Sequence, residues 1–273
     1  MMQLTLKEET HYEGIGLHSG KTVSITLKPA KVDSGIVFRR TDMDGAPVVH
    51  ASAKNVTATA RATTIEENGI KVFTIEHIMS ALSGANVDNC EILLNSEEPP
   101  VADGSAKVYS ELIKKAGTVE QDAMKKTVAI DKIYRVEDVG KFIVALPYDG
   151  FRVSFTSVNP HPLIGVQFKD FELTGDIYDK EIAPARTIAY EKEVETLKQM
   201  GLGLGGNLEN VIVYSDKGWL NKLRYEDELV RHKILDIIGD LKLAGNICGH
   251  IIAVASGHAL NTRLAKIIEG NCL

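Results

Sequence analysis

Twice along this chain, short segments of alternating apolar and polar residues give way to helical patterns, and that order constrains the fold more than any other feature. Residues 22–27 (TVSITL) alternate, and residues 35–39 (GIVFR) are bounded by the turn formers of TDMDGAP. The segment TIEHIMSALSG, beginning at Thr74, then has a helical pattern closed by Gly84. A strand at 89–94, the turn-rich NSEEPPVADGS and a helix at 106–115 complete the first cycle. After the polar stretch 118–126 the order repeats: strands near 127–136, 141–146 and 152–156, a long helix at 226–244, a strand at 250–255 and a last helix at 261–268. Runs of strands followed by helices, rather than strict βαβ alternation, point to an α+β fold.

The expected architecture is therefore two α/β-layered domains of similar plan, residues 1–120 and 127–273, with 118–126 as the linker. A length of 273 residues suits two domains. One segment departs from the plan. Residues 191–200 read as a helix, followed by GLGLGGN and a strand at 210–214, which together look inserted.

Composition excludes several classes of function. Hydrophobic residues at 44% and charged residues at 25% are ordinary for a globular chain. A net charge of −6, from 31 basic and 37 acidic residues, weighs against nucleic acid as a partner. The cysteines Cys90, Cys248 and Cys272 are odd in number and widely spaced, so a reducing cytoplasm fits better than a disulfide framework. The N-terminus has no apolar core of signal-peptide length, and the apolar runs, such as 251–255, are far too short for a bilayer span. Contact with a membrane surface is expected to be transient at most.

The chemistry-bearing residues cluster in two places. In RHKILDIIGD, His232, Asp236 and Asp240 are spaced four apart, each turned about 40° from the last, and form one polar stripe. Such a stripe is either the solvated face of an amphipathic helix or a set of ligands, since imidazole and carboxylate one turn apart can share a zinc ion. His77, preceded by Glu76, is the natural third ligand from the other half, with Glu76 as base; a plain surface helix is the competing reading. The chain has no HExxH motif. His258, in SGHALN, reads as a polar turn residue or as a general acid partnered by Asp240. The GLGLGG run matches G-x-G-x-x-G, but it follows a helix and precedes a strand, so a helix cap and tight turn are expected rather than a dinucleotide loop.

Taken in order, HYEGIGLHSG, TIEHIMSALSG, PVADGS, APARTIAY, GLGLGGN, LRYEDELVRHKILDIIGDLKLAG and SGHALN resemble the UDP-3-O-acyl-N-acetylglucosamine deacetylases of Gram-negative lipid A biosynthesis. The resemblance implies two α+β domains around an active-site cleft, each bearing an insert. It implies zinc, with iron(II) as the alternative, held by His77, His232 and Asp236. It further implies Glu76 as general base, and His258 paired with Asp240 on the acid side. Thr187 is expected at the tetrahedral intermediate, Lys233 near the phosphate or oxyanion, and His18 at the rim of the substrate site. The insert at about 189–214 is expected to form an apolar passage for the acyl chain of an acylated UDP-N-acetylglucosamine. Many relatives have Phe-Gly where this chain has Ile188-Ala189, and some carry a cysteine near Ala62. Two rivals stay open on the residues alone: a zinc amidohydrolase acting on another N-acetyl substrate, and a non-catalytic α+β binding protein.

Overall fold

The computed structural model describes residues 1–271. Its helices are α1 (Glu76–Gly84), α2 (Lys107–Ala116), the single turn α3 (Gly175–Ile177), α4 (Glu191–Gln199), α5 (Glu228–Lys242) and α6 (His258–Asn271). The mixed helix and sheet content is that of an α+β fold, as the order of patterns predicts.

Two five-stranded paths share one topology. In the first half the strand order is Thr10–Ile15, Thr22–Pro29, Cys90–Leu94, Ile36–Arg40, Val48–His50. In the second it is Tyr134–Asp138, Lys141–Leu146, Asn246–Val254, Phe151–Val158, Val166–Glu172, with Thr127–Ala129 beside the central strand. In each, the last strand inserts between two hairpins, antiparallel to one and parallel to the other. The helices correspond as well: α1 and α5 precede the central strands, and α2 and α6 follow them. The repeat survives as topology while no sequence repeat is visible.

Alternation puts one face of each strand inside. Thr22–Pro29 buries Val23, Ile25 and Leu27, and Asn246–Val254 buries Ile247, Ile251 and Ala253. Helices α1 and α5 pack against each other, and α5 and α6 pack on the second sheet. Their contact is close because position 239 is glycine: a Cβ there would lie 2.1 Å from the Glu76 carbonyl oxygen. This contact brings Glu76-His77 against the ligand candidates of α5.

Three sequence expectations change. The stripe on α5 is not a solvated face, because every residue of the helix except Lys233 is buried between α1 and the second sheet. The polar stretch 118–126 still joins the two halves, but residues Thr118–Met124 form a strand paired antiparallel with Met2–Leu6. Its composition is polar because most of its side chains face outward, while backbone hydrogen bonds close the ribbon. The inserted segment extends further than 214. Ile188–Tyr190 and Ile212–Ser215 pair in parallel around α4, and Gly218–Trp219 adds a third strand. A three-stranded antiparallel sheet at 56–73 occupies the corresponding place before α1. Cys90 and Cys248 are free thiols, and Cys272 lies outside the described residues. No helix among the described residues is long and apolar enough to cross a membrane.

Candidate active site

His77 opens α1, and His232 and Asp236 stand one turn apart on α5. The α1–α5 contact brings them together, so that one donor atom from each lies within 4.8 Å of the others. The two imidazoles meet edge to face, with centroids 5.1 Å apart. His232 Nδ1 is 3.0 Å from the Ala185 carbonyl, which makes Nδ1 the donor and leaves Nε2 free. Asp236 Oδ2 accepts from Lys233 Nζ at 2.8 Å. Asp236 Oδ1 is buried with no hydrogen-bond partner among the described residues, and lies 3.4 Å from His232 Nε2. A buried carboxylate oxygen left without a donor is rare, and a cation satisfies it.

The charge states suit metal binding. Burial, reinforced by the neighbouring His232, pulls His77 down to about 3, and burial also lowers His232 despite Asp236 beside it. Both rings are therefore neutral nitrogen donors at pH 7. Burial works against the charge of Asp236, yet His232, Lys233, His258 and His77 outweigh it and hold the carboxyl well below its usual range. Two neutral nitrogens and one carboxylate form a three-donor set with room for a further ligand. The residues present thus fit a divalent metal.

Glu76 and His258 line the same cavity as this set. Burial pushes Glu76 up to about 7, with His258 opposing and Asp240 and Asp236 reinforcing the rise. Its Oε2 accepts from the Thr63 backbone N–H at 3.1 Å. His258 begins α6, with Nδ1 2.9 Å from Asp240 Oδ2 and Nε2 3.8 Å from Glu76 Oε1. Burial alone would lower His258, but Asp240, Glu76 and Asp236 raise it to about 10, so the ring is a cation at neutral pH. Two further residues, neither given a role from the sequence, complete the Asp240 shell. Thr63 Oγ1 donates to Oδ1 at 2.6 Å, and Asn261 Nδ2 donates to Oδ2 at 2.9 Å. The SGHALN spacing, with Asn261 one turn after His258, was the available clue.

A cavity of about 900 Å³ opens over these groups. Glu76, His77, His232, Lys233, Asp236 and His258 line it together with Thr187 and His18. Its remaining wall comes largely from the inserted unit, including Val194, Leu197, Leu202, Leu208, Val211, Val213 and Leu220. Ile212 points away into the core. Lys233 is the one residue of α5 that is only partly buried; the desolvation this brings opposes its charge, but Asp236 outweighs it and raises the ammonium pKa. Thr187 is fixed by its N–H on Gly104 O at 2.9 Å and by its carbonyl accepting from Ile212 N at 2.8 Å. Among the described residues, His18 Nε2 is buried without a partner. The His18 loop is held from below by the buried carboxylate of Glu98, which accepts from His18 N and Ser19 N, each at 2.8 Å.

The GLGLGG run is a helix end, with Gly201 N bonded to Lys198 O at 2.9 Å. It also clasps the His18 loop: Gly205 N donates to Leu17 O at 3.0 Å, and Gly203 N approaches His18 Nδ1 at 3.3 Å. A Cβ at Gly205 would fall 2.2 Å from Gly16 O, so only glycine permits the contact. Sequence spacing alone gave no sign of this second role.

A three-donor set sharing one cavity with a buried carboxyl group and an imidazolium, in an α+β fold, defines a metal-dependent hydrolase. More narrowly, this chain belongs to the UDP-3-O-acyl N-acetylglycosamine deacetylase family, whose model matches residues 3–269. It is similar to proteins named UDP-3-O-acyl-N-acetylglucosamine deacetylase from three bacteria. The Hahella chejuensis protein is 44% identical over 269 residues, covering 97% of this chain and 89% of that protein. The Marinobacter nauticus protein is 42% identical, with 97% and 88% covered. The Pseudomonas entomophila protein is 45% identical over 271 residues, with 97% and 89% covered.

Proposed function

We propose that this chain hydrolyses the acetamide of UDP-3-O-acyl-N-acetylglucosamine to acetate and the free amino sugar nucleotide, the committed step of lipid A biosynthesis. One observation carries the reading: the acid–base pair and the three-donor set open into the same cavity as the apolar wall of the inserted unit. A binding protein has no use for a buried carboxyl group and an imidazolium of opposed charge beside a three-donor set. An amidohydrolase for a small N-acetyl substrate has no use for the apolar wall.

His77, His232 and Asp236 are the proposed ligands, and zinc suits two imidazoles and a carboxylate, with iron(II) as the alternative. Bound there, the metal supplies Lewis acidity towards water and the acetamide carbonyl. Glu76 acts as the base: its carboxylate takes a proton from the attacking water, and burial, reinforced by Asp240 and Asp236, raises its basicity for that task. The Thr187 hydroxyl and the Lys233 ammonium are placed on the cavity wall to hold negative charge developing on the acetamide oxygen. His258 holds the second proton on Nε2, and Asp240 keeps it there by stabilising the cation through Nδ1. When the C–N bond breaks, that proton goes to the leaving nitrogen and acetate departs. His18 is assigned to the rim of the substrate site, and the inserted unit from about 189 onward to the acyl chain.

The two halves, 1–120 and 127–273, are proposed as the domains that form the cleft, and the cytoplasm as the compartment. The substrate assignment is tested by comparing kcat/KM for UDP-N-acetylglucosamine with and without a 3-O-acyl chain. A strong preference for the acylated substrate is expected; equal values would point to another N-acetyl substrate.

A further inference from the structure

The peptide group between Ala185 and Arg186 is held at both ends by one helix. Its carbonyl accepts from His232 Nδ1 at 3.0 Å, and its N–H donates to Glu228 Oε1 at 3.0 Å. Glu228 and His232 stand one turn apart on α5, so adjacent side chains grip a single rigid plane from its two sides. The Glu228 carboxylate is 1% exposed and takes three further donors: Arg186 Nε at 2.9 Å, Arg186 Nη2 at 3.3 Å and Arg224 N at 2.6 Å. The acid–base chemistry uses none of these groups. A buried ion pair is by itself weak evidence for stability. Here one carboxylate oxygen is shared between the guanidinium and a backbone N–H whose carbonyl faces the metal set.

We propose that Glu228 is a positioning residue for the metal ligand His232. By holding the Ala185–Arg186 peptide, it fixes the carbonyl that keeps the His232 proton on Nδ1 and directs Nε2 towards His77 and Asp236. Outer partners of this kind set both tautomer and ring orientation. The same peptide leads directly into Thr187, which immediately precedes the strand Ile188–Tyr190, so the clamp also bears on where that residue sits. The inference rests on reading His232 as a ligand.

The test is zinc affinity of the purified full-length chain, measured by competition with a chelator, for Glu228→Gln, Arg186→Lys and His232→Ala. In Glu228→Gln the amide cannot accept from all four donors, and zinc affinity is expected to fall about 10-fold or more. Nitrogen-resolved NMR of His232 should show loss of the single Nδ1–H tautomer. Arg186→Lys removes the guanidinium fork but keeps the peptide N–H and its carboxylate, so affinity should stay within about twofold of wild type. A folded Glu228→Gln protein with wild-type affinity and tautomer overturns the proposal. If that variant does not fold, Arg186→Lys decides: retained affinity supports the peptide clamp, and a tenfold loss assigns the coupling to the guanidinium and overturns it. The His232→Ala control separates the two readings. Zinc retained there removes the ligand assignment itself, whereas zinc lost there but held in Glu228→Gln removes only the clamp.

Discussion

His258 Nδ1 lies 2.9 Å from Asp240 Oδ2, with Asp240 fully buried and His258 partly buried where α5 meets α6. Asp240 is the leading influence raising His258 to about 10 against the pull of burial. An acid must be protonated to act, so activity should fall as pH rises through the His258 pKa. Asp240→Asn removes the charge that favours the cation, and the alkaline limb of the kcat profile should move to lower pH with metal content unchanged. An unmoved limb would separate His258 from the acid role.

Glu76 must be deprotonated to act as base, so activity should rise with pH through its pKa. Burial sets that pKa to about 7, and a cation at the neighbouring donors favours the carboxylate, which places the acidic limb at or below about 7. Glu76→Gln should lose on the order of 100-fold or more in kcat while binding zinc as wild type does. Rate assays with metal analysis check both halves.

Close packing at Gly239 gives a third expectation. A methyl group there meets the Glu76 carbonyl oxygen at 2.1 Å, and backbone must move to admit it. Gly239→Ala should destabilise the fold by about 1–3 kcal/mol in urea denaturation, as overpacking does, and lower kcat by shifting Glu76-His77 against α5.

The inserted unit offers a substrate-dependent test. Val213 is buried on the cavity wall, whereas its neighbour Ile212 faces the core. Val213→Asp puts a charge against the proposed acyl path, at a cost of at least a few kcal/mol when hydrocarbon covers it. The loss of kcat/KM should be on the order of 10-fold or more greater for long-acyl than for acyl-less substrates. Equal losses would mean a folding defect instead.

Much of this site was legible in the sequence because ligand chemistry leaves a local pattern. The i, i+4, i+8 spacing of His232, Asp236 and Asp240 and the Glu76-His77 pair name the residues that the α1–α5 contact brings together. What stayed hidden depends on contacts between distant segments. Thr63 reaches Asp240 across 177 positions of sequence, and Glu98 holds the His18 loop across 80. The strand Thr118–Met124 was hidden for another reason: its stability lies in backbone pairing with Met2–Leu6, which outward-facing polar side chains do not reveal. The α5 stripe looked amphipathic because its polar face is as polar as a solvated one; burial against α1 makes it a site.

The most direct test of the central claim is acetate release from UDP-3-O-acyl-N-acetylglucosamine by the purified chain, stripped with chelator and then titrated with zinc. With His77, His232 and Asp236 as the proposed ligands and no fourth donor among the described residues to replace one, loss of activity on stripping and full recovery near one equivalent of zinc are expected. His232→Ala should neither retain the metal nor recover. Wild-type turnover in the stripped protein, or in His232→Ala, would contradict the claim.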